Sequence, residues 1–254
     1  MSTALVTGGA KRLGRHLVRA LARRGFAVAV HYNGSRSAAE EAVAEIRAGG
    51  VEALALGADL TDPGASEGLI AAAEAALGPL GCLVNNASLF QHDDALDLEA
   101  TSFDRHQAVN LRAPLLLARA FACRLPPDAT GLIVNLLDQR IAAPPAGWLS
   151  YTLSKIGLAA ATELLALEMA PRVRVNGIAP GLTLPSGGQS EDDFAREVGR
   201  TPLGKGSSPQ AVVQALDYLL DAEVVTGQIL YVDGGRRLQG RVPEDPGMIG
   251  ENRA

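Results

Sequence analysis

The feature that most constrains this chain is a sustained alternation of short β-rich runs with longer, alanine-rich helical segments. The strand candidates are Ala4–Thr7, Ala27–Tyr32, Glu52–Ala58, Cys82–Asn85, Leu132–Leu137, Arg172–Gly177 and Gln228–Asp233. Between them the composition reads as helix over Arg12–Arg24, Ala38–Ala48, Gly64–Leu77, Ser102–Arg124 and Trp148–Met169. Two helix starts carry a capping side chain followed by proline at the first helical position, Asp62-Pro63 and Ser208-Pro209. Such alternation means a parallel sheet covered on both faces, since each crossover lays a helix on the sheet. Right-handed crossovers then give a doubly wound α/β sheet that receives ligands at the carboxyl edge of its strands.

A chain of 254 residues fits one domain over residues 1–254, large enough to bury about 70–75% of its unfolded surface. The stretch from Pro180 to Ser208 breaks the alternation: it is rich in Gly, Pro and Ser around a short charged segment, Glu191–Arg200. A loop of that length reads as a lid over a substrate site, at about 180–208. The tail after Gly235 is polar, with prolines and glycines. A net charge of −5 leaves no basic footprint for nucleic acid. Cys82 and Cys123 both sit in apolar stretches and read as reduced, buried thiols. His16, His31, His92 and His106 have no metal-ligand spacing, so no metal is expected. No apolar run approaches the ~18 residues of a membrane span, and the first strand leaves no room for a signal peptide. The expectation is a soluble, cytoplasmic protein without membrane or nucleic-acid partners.

The first strand ends in Thr7-Gly8-Gly9-Ala10-Lys11-Arg12-Leu13-Gly14 and runs into a helix. Gly8 permits a tight turn and Gly14 close helix–strand packing, while the amides of the turn and the helix start can hold a pyrophosphate. Arg12 stands where such a loop usually has glycine, beside Lys11, and two cations at a positive helix end call for an anion. The second strand ends in His31-Tyr32-Asn33-Gly34-Ser35-Arg36-Ser37 with no acid to bond a ribose 2′-hydroxyl. Arg36, with His31, Ser35 and Ser37, instead offers donors for a 2′-phosphate, which favours NADPH. Asp59 follows the third strand, where a carboxylate can accept from an adenine amine. Asn85-Asn86-Ala87-Ser88 makes a polar turn at the same edge. Asn110, a poor helix former in mid-helix, marks a kinked or water-binding position.

Tyr151 and Lys155 are four residues apart on one helical face. An ammonium beside a phenol is expected to lower the phenol's pKa toward the working range and make a proton donor for reduction. Asp138 lies thirteen residues before the tyrosine, at the end of an apolar strand.

In this order the Thr7–Gly14 turn, Asp59, Asn85-Asn86-Ala87, Asn110, Tyr151 with Lys155, Pro180-Gly181 and Asp233-Gly234-Gly235 resemble the short-chain dehydrogenase/reductase family, over about Thr3 to Gly235. The resemblance implies a Rossmann-type fold, a small-molecule substrate and a homo-oligomer, usually a tetramer. It implies that Tyr151 is the proton donor, that Lys155 binds the nicotinamide ribose, and that Asn110 holds a water in a proton relay. It places NADPH against Gly8, Lys11, Arg12, Leu13, Gly14, His31, Ser35, Arg36, Ser37, Asp59, Leu60, Asn86, Ala87, Ser88, Lys155, Pro180 and Gly181.

The family's usual serine is replaced by Asp138, which counts against ordinary ketone reduction. Ala10-Lys11-Arg12-Leu13-Gly14, His31-Tyr32 with Arg36-Ser37, and Asn86-Ala87-Ser88-Leu89-Phe90 resemble its pteridine reductase branch. That branch implies a pterin stacked on Phe90, with Arg12, Asp138, Trp148 and Tyr151 completing the pocket. Reducing a dihydropterin C=N needs a proton at a ring nitrogen, and a carboxyl group can either relay that proton or pair with the aminopyrimidine edge. The rival readings are an NADPH-dependent carbonyl reductase in which Asp138 is incidental, and an NADP-binding sensor without turnover.

Overall fold

The computed structural model describes residues 2–185 and 188–239. Seven parallel strands form one sheet: β1 (Thr3–Val6), β2 (Ala27–Tyr32), β3 (Ala53–Gly57), β4 (Leu80–Asn85), β5 (Gly131–Leu136), β6 (Val173–Pro180) and β7 (Ile229–Val232). Their order across the sheet is β3-β2-β1-β4-β5-β6-β7. The strand order reverses between β1 and β4, and in sheets of this kind ligands bind at the carboxyl ends beside that reversal. The central strands β1 and β5 are buried along their whole length. That burial is why they read as unbroken apolar runs instead of alternating ones.

Helices cover both faces. On one side α1 (Arg12–Arg23), α2 (Arg36–Ala48) and α8 (Pro209–Asp221) bring Leu17, Val43 and Leu216 into one cluster with Val6, Val30 and Ile178 of the sheet. On the other side α3 (Pro63–Leu77), α5 (Ala113–Arg124) and α6 (Leu149–Met169) bring Ile70, Leu117, Phe121 and Ala166 onto Leu5, Leu83 and Ile133. The two expected caps are formed: Asp62 accepts from the Gly64 amide at 3.0 Å, and Ser208 from the Ala211 amide at 3.1 Å.

The expected helix over Ser102–Arg124 is in fact three pieces. It begins as α4 (Ala100–Gln107), widens into a π-helical turn over Ala108–Arg112, and continues as α5. Asn110 lies in the widened turn, so the mid-helix asparagine did mark an irregularity. A short helix, α7 (Glu191–Gly199), occupies the charged part of the 180–208 loop. Of the two cysteines, Cys82 is buried in β4 and its thiol is pushed up to about 12 by desolvation. Cys123 is exposed on α5, which corrects the expectation of two buried thiols. Residues 186–187 of the proposed lid and 240–254 of the tail lie outside the described residues.

Candidate active site

The turn between β1 and α1 is held from three sides, and almost every bond goes to backbone. Thr7 Oγ1 accepts from the Asn86 and Ala87 amides at 2.9 and 3.0 Å. Asn86 Nδ2 donates back to the carbonyls of Thr7 and Gly8 at 2.9 and 3.1 Å. Gly8 is left-handed (φ +62°), and a Cβ there would meet Ala87 Cα at 3.0 Å. At Gly14 a Cβ would fall 2.1 Å from the Gly8 carbonyl oxygen. Both glycines are therefore required by close backbone approach. Arg12 is also left-handed (φ +48°), a conformation that costs a side-chain-bearing residue about 1–2 kcal/mol. This explains why glycine is usual there. Arg12 Nη2 reaches the Pro185 carbonyl at 2.9 Å and ties the turn to the 180–208 loop. The first turn of α1 has no acidic residue, so Lys11, Arg12 and the helix end present an uncompensated positive cradle.

The β2 end divides into two kinds of residue. Ser35, Arg36 and Ser37 begin α2, where Arg36 is largely exposed and holds Glu40 at 2.8 Å. Such an exposed pair is worth little, about 0.3–0.5 kcal/mol, and an incoming phosphate can displace it. His31, expected beside them as a phosphate donor, is instead buried beneath the turn. Its Nδ1 accepts from the Gly8 amide and its Nε2 lies on the Ala58 carbonyl, both at 3.1 Å. With both nitrogens engaged it has no donor for a phosphate, which corrects the expectation. Asp59 is exposed and accepts from the Thr61 amide, which holds its carboxyl below the ordinary range. Leu60 is buried in the core, so only its backbone is available at the edge. Ser88 is exposed on the turn after β4. At the end of β6, Pro180 leads into Gly181, whose amide bonds the Val232 carbonyl and where a Cβ would meet Asp233 Cα at 2.8 Å.

The catalytic candidates converge at the ends of β5 and α6. The Tyr151 hydroxyl donates to Asp138 Oδ2 at 2.8 Å. Asp138 Oδ1 accepts from the Arg140 amide at 2.8 Å, which locks the carboxylate at the start of a single 3₁₀ turn. Lys155 Nζ donates to the Leu136 carbonyl at 2.7 Å and sits 5.8 Å from the centre of the Tyr151 ring. The expected downward shift of the phenol is overridden in this arrangement. Burial, then the Asp138 charge and its hydrogen bond, push Tyr151 well above its ordinary value, while burial lowers Lys155 to about 8. A neutral phenol held by a carboxylate is the resting state.

Asn110 is fully buried and its amide is spent on the protein. Its Oδ1 accepts from the Leu89 amide, and its Nδ2 donates to the Leu89 carbonyl and to Ser154 Oγ, at 2.7, 2.9 and 3.0 Å. A relay through Asn110 would have to run through its main chain, and its amide instead ties the β4 loop to α6.

Phe90 and Trp148 stand parallel, centroids 5.8 Å apart and planes within 4°. Phe90 also meets the Tyr151 ring edge-on at 4.7 Å, so the two expected aromatics and the tyrosine form one wall. Trp148 is left-handed (φ +51°) and follows left-handed Gly147. Sequence reasoning missed three members of this wall. Arg140 places its guanidinium 4.8 Å from the Trp148 ring and 5.3 Å from the Phe90 ring, near enough for cation–π attraction. His92 meets Trp148 edge-on at 4.9 Å. Asp93, buried, accepts from the Ser150 amide at 3.0 Å, and its carbonyl accepts from Leu149. It caps α6 from a distant loop because the helix's own cap residue is Trp148, which has no acceptor. Only Arg140, two residues after Asp138, carried a local signal. A polar cleft of about 540 Å³ lined by Gln91, His92, Glu99, Thr101, Ser102 and Arg105 adjoins the wall but includes none of the catalytic candidates.

Three relatives frame these observations. A solved structure described as the alternative dihydrofolate reductase 1 FolM from Brucella canis complexed with NADP superposes with a TM-score of 0.90. It shares 42% identity, over 96% of each chain. An uncharacterized oxidoreductase of Methylorubrum extorquens is 31% identical over 92% of this chain and 97% of its own. A 3-oxoacyl-[acyl-carrier-protein] reductase of Staphylococcus aureus is 29% identical over the same shares. The short chain dehydrogenase family model matches residues 2–194, and with the sheet order, glycine turn and tyrosine–lysine pair described above, the chain belongs to the short-chain dehydrogenase/reductase family.

Proposed function

We propose that this protein reduces a pteridine-type substrate (a dihydropterin, dihydromonapterin or dihydrofolate) with NADPH. The observation that carries the reading is the carboxylate of Asp138 on the Tyr151 hydroxyl, 2.8 Å away, where a carbonyl reductase of this family would have a serine hydroxyl. The residues present fit the cofactor. Gly8 and Gly14 leave a cradle that a Cβ would fill, Lys11 and Arg12 supply positive charge, and Arg36 stands at the start of α2 with only the exposed, displaceable Glu40 as its partner. NADPH, when bound, supplies the hydride.

The chain's own groups then have to place and protonate the substrate. A pterin's amino-bearing edge donates hydrogen bonds, and Asp138 is the acceptor for it. Engaging Asp138 in this way releases the Tyr151 hydroxyl to turn its proton toward the ring nitrogen. Proton loss from Tyr151 leaves a phenolate beside a carboxylate, and the Lys155 ammonium offsets that pair of negative charges. Phe90 and Trp148 offer flat apolar faces for a planar ring, and Arg140 offers a cation at its margin. The 42% identity to the Brucella canis FolM structure supports the same substrate class.

A stripe of exposed apolar residues on α6, Leu153, Ile156, Leu164 and Leu167, supports a homo-oligomer, and we assign it to subunit packing in a tetramer. The second reading, reduction of a 3-oxoacyl or other carbonyl group, draws on the Staphylococcus aureus relative. The two separate by NADPH oxidation with dihydropterins or dihydrofolate against small ketones and 3-oxoacyl thioesters, in the wild type and in Asp138→Ser. Pterin turnover should be lost by a factor of ~10²–10⁴ in the variant, with ketone turnover unchanged or raised. Pterin reduction within about threefold of wild type, less than ~1 kcal/mol of transition-state stabilisation, would leave Asp138 structural and favour the carbonyl reading.

A further inference from the structure

His31 is 2% exposed, yet it is tied to two loops that meet at the cofactor edge. The Gly8 N–H can only donate, so Nδ1, 3.1 Å away, must be the unprotonated nitrogen. Nε2 then carries the hydrogen and donates it to the Ala58 carbonyl at 3.1 Å. Ala58 is fixed in turn by its amide, which donates to the Tyr32 carbonyl at 3.0 Å. The imidazole therefore bridges the end of β3 to the left-handed glycine of the turn.

We propose that His31 is a positioning residue for the cofactor turn: its neutral ring is the acceptor that holds Gly8 in place, and protonation of that ring releases the turn and weakens cofactor binding in acid. The inference rests on the reading of the Thr7–Gly14 turn as the pyrophosphate site. A proton on Nδ1 would set N–H against N–H at 3.1 Å, so the imidazolium and the observed turn are mutually exclusive.

Burial is the larger influence on the ring and keeps its pKa below the ordinary value, while the Ala58 carbonyl pulls it upward. The neutral form is therefore complete above about pH 6.5, and its contribution is lost as pH falls from there through the depressed value. Of the ionisable groups on the surrounding elements, Lys11 of the turn is exposed, and the others have partners of their own. Asp59 and Asp62, after β3, accept from the amides of Thr61 and Gly64. On the α3–α5 side, Glu67 pairs with Arg119, and Arg112 donates to the Thr61 carbonyl. Arg36 of α2 holds Glu40, and Arg12 at the far end of the turn holds the Pro185 carbonyl.

The test is NADP⁺ binding to the full chain by titration calorimetry in steps from about pH 8 down to about pH 4.5, through the range below the ordinary imidazole value. Wild type is compared with His31→Asn, whose Oδ1 replaces Nδ1 as acceptor but does not titrate, and with His31→Leu, which has no acceptor. At the upper end of that range, His31→Asn should bind within about threefold of wild type. His31→Leu should bind on the order of tenfold more weakly, the effect of one buried donor left unpaired. On acidification wild type should lose several-fold more affinity than His31→Asn. The cofactor's 2′-phosphate, with a pKa of about 6, titrates equally in both and cancels. Parallel acid losses in wild type and His31→Asn, or full-affinity binding by His31→Leu, would overturn the proposal. Should His31→Leu fail to fold, the pH comparison with His31→Asn still decides. A wild type that does not bind NADP⁺ at the upper end of the range would instead remove the cofactor reading, a failure distinct from the other two.

Discussion

The two halves of the candidate site are built from different material. In the cofactor half, Thr7, His31 and Asn86 aim their side chains at main-chain groups, and the glycines stand where even one Cβ collides with backbone. In the substrate half, the contacts run between side chains: Phe90 with Trp148 and Tyr151, Arg140 over both flat rings, and Tyr151 with Asp138. A backbone-built site tolerates little change but accepts any ligand with the right phosphates. A side-chain-built site can be altered residue by residue, so specificity belongs there. Substitutions in the first half should therefore disturb fold and cofactor together, and those in the second should change turnover or substrate affinity alone.

The largest effect should come from Tyr151→Phe, which removes the proton donor and the hydroxyl held by Asp138 but keeps the ring that meets Phe90. Turnover should fall by ~10²–10⁴, with NADPH affinity unchanged in a fluorescence titration. A variant that lost cofactor binding as well would break the separation of the two halves. Gly14→Ala is the converse. Its Cβ lies 2.1 Å from the Gly8 carbonyl oxygen and 2.8 Å from Asn86 Nδ2, so α1 has to move away from the turn. We expect a stability loss of about 1–3 kcal/mol, as for an overpacked core, and NADPH binding weakened at least tenfold. Unchanged melting and unchanged affinity would show that the turn yields more easily than its geometry implies.

The pH dependence sharpens the comparison at the lysine that joins the halves. Burial lowers Lys155 to about 8 in the free protein. The ammonium is intact below that pH and is lost as pH rises through it. Tyr151, displaced well upward, stays protonated across the same range. The profile of kcat/KM, which reports the free enzyme, should therefore decline above about pH 8, by no more than tenfold per unit. A profile flat to pH 10 would mean that the lysine charge is not needed in the step that profile reports.

Much of this arrangement is legible in the sequence, for reasons that differ by region. The strands were placed to within three residues because buried parallel strands are continuous apolar runs closed by glycine, asparagine or proline. Gly8, Gly14 and the odd Arg12 were legible because conformational demands are local. The direction of the Tyr151 shift was not, since helical spacing puts lysine near the phenol but carries no measure of how deeply both are buried. His31 was misread because a histidine at a strand end looks the same whether it faces solvent or the layer beneath the turn. Asp93 was invisible for a plainer reason: its partner Ser150 is 57 residues away.

That long-range contact supplies the smallest predicted effect. α6 carries Tyr151 and Lys155, yet its cap position is given to Trp148, so the first turn depends on a carboxylate from the loop that also carries Phe90. Asp93→Ala removes the acceptor of the Ser150 amide and should cost about 1 kcal/mol of stability, as lost caps do. The aromatic wall would then be free to shift relative to Tyr151, raising KM for the pterin severalfold while NADPH affinity holds. Asp93→Asn keeps an oxygen for that amide, and its new amide group replaces an oxygen that has no hydrogen-bond partner among the described residues. What it loses is charge at a helix start, about 0.3–1 kcal/mol, so KM should stay near wild type. If both variants weaken NADPH and pterin alike, Asp93 supports the whole helix and not the alignment of the wall. The substrate half would then be no more separable from the cofactor half than the backbone that joins them.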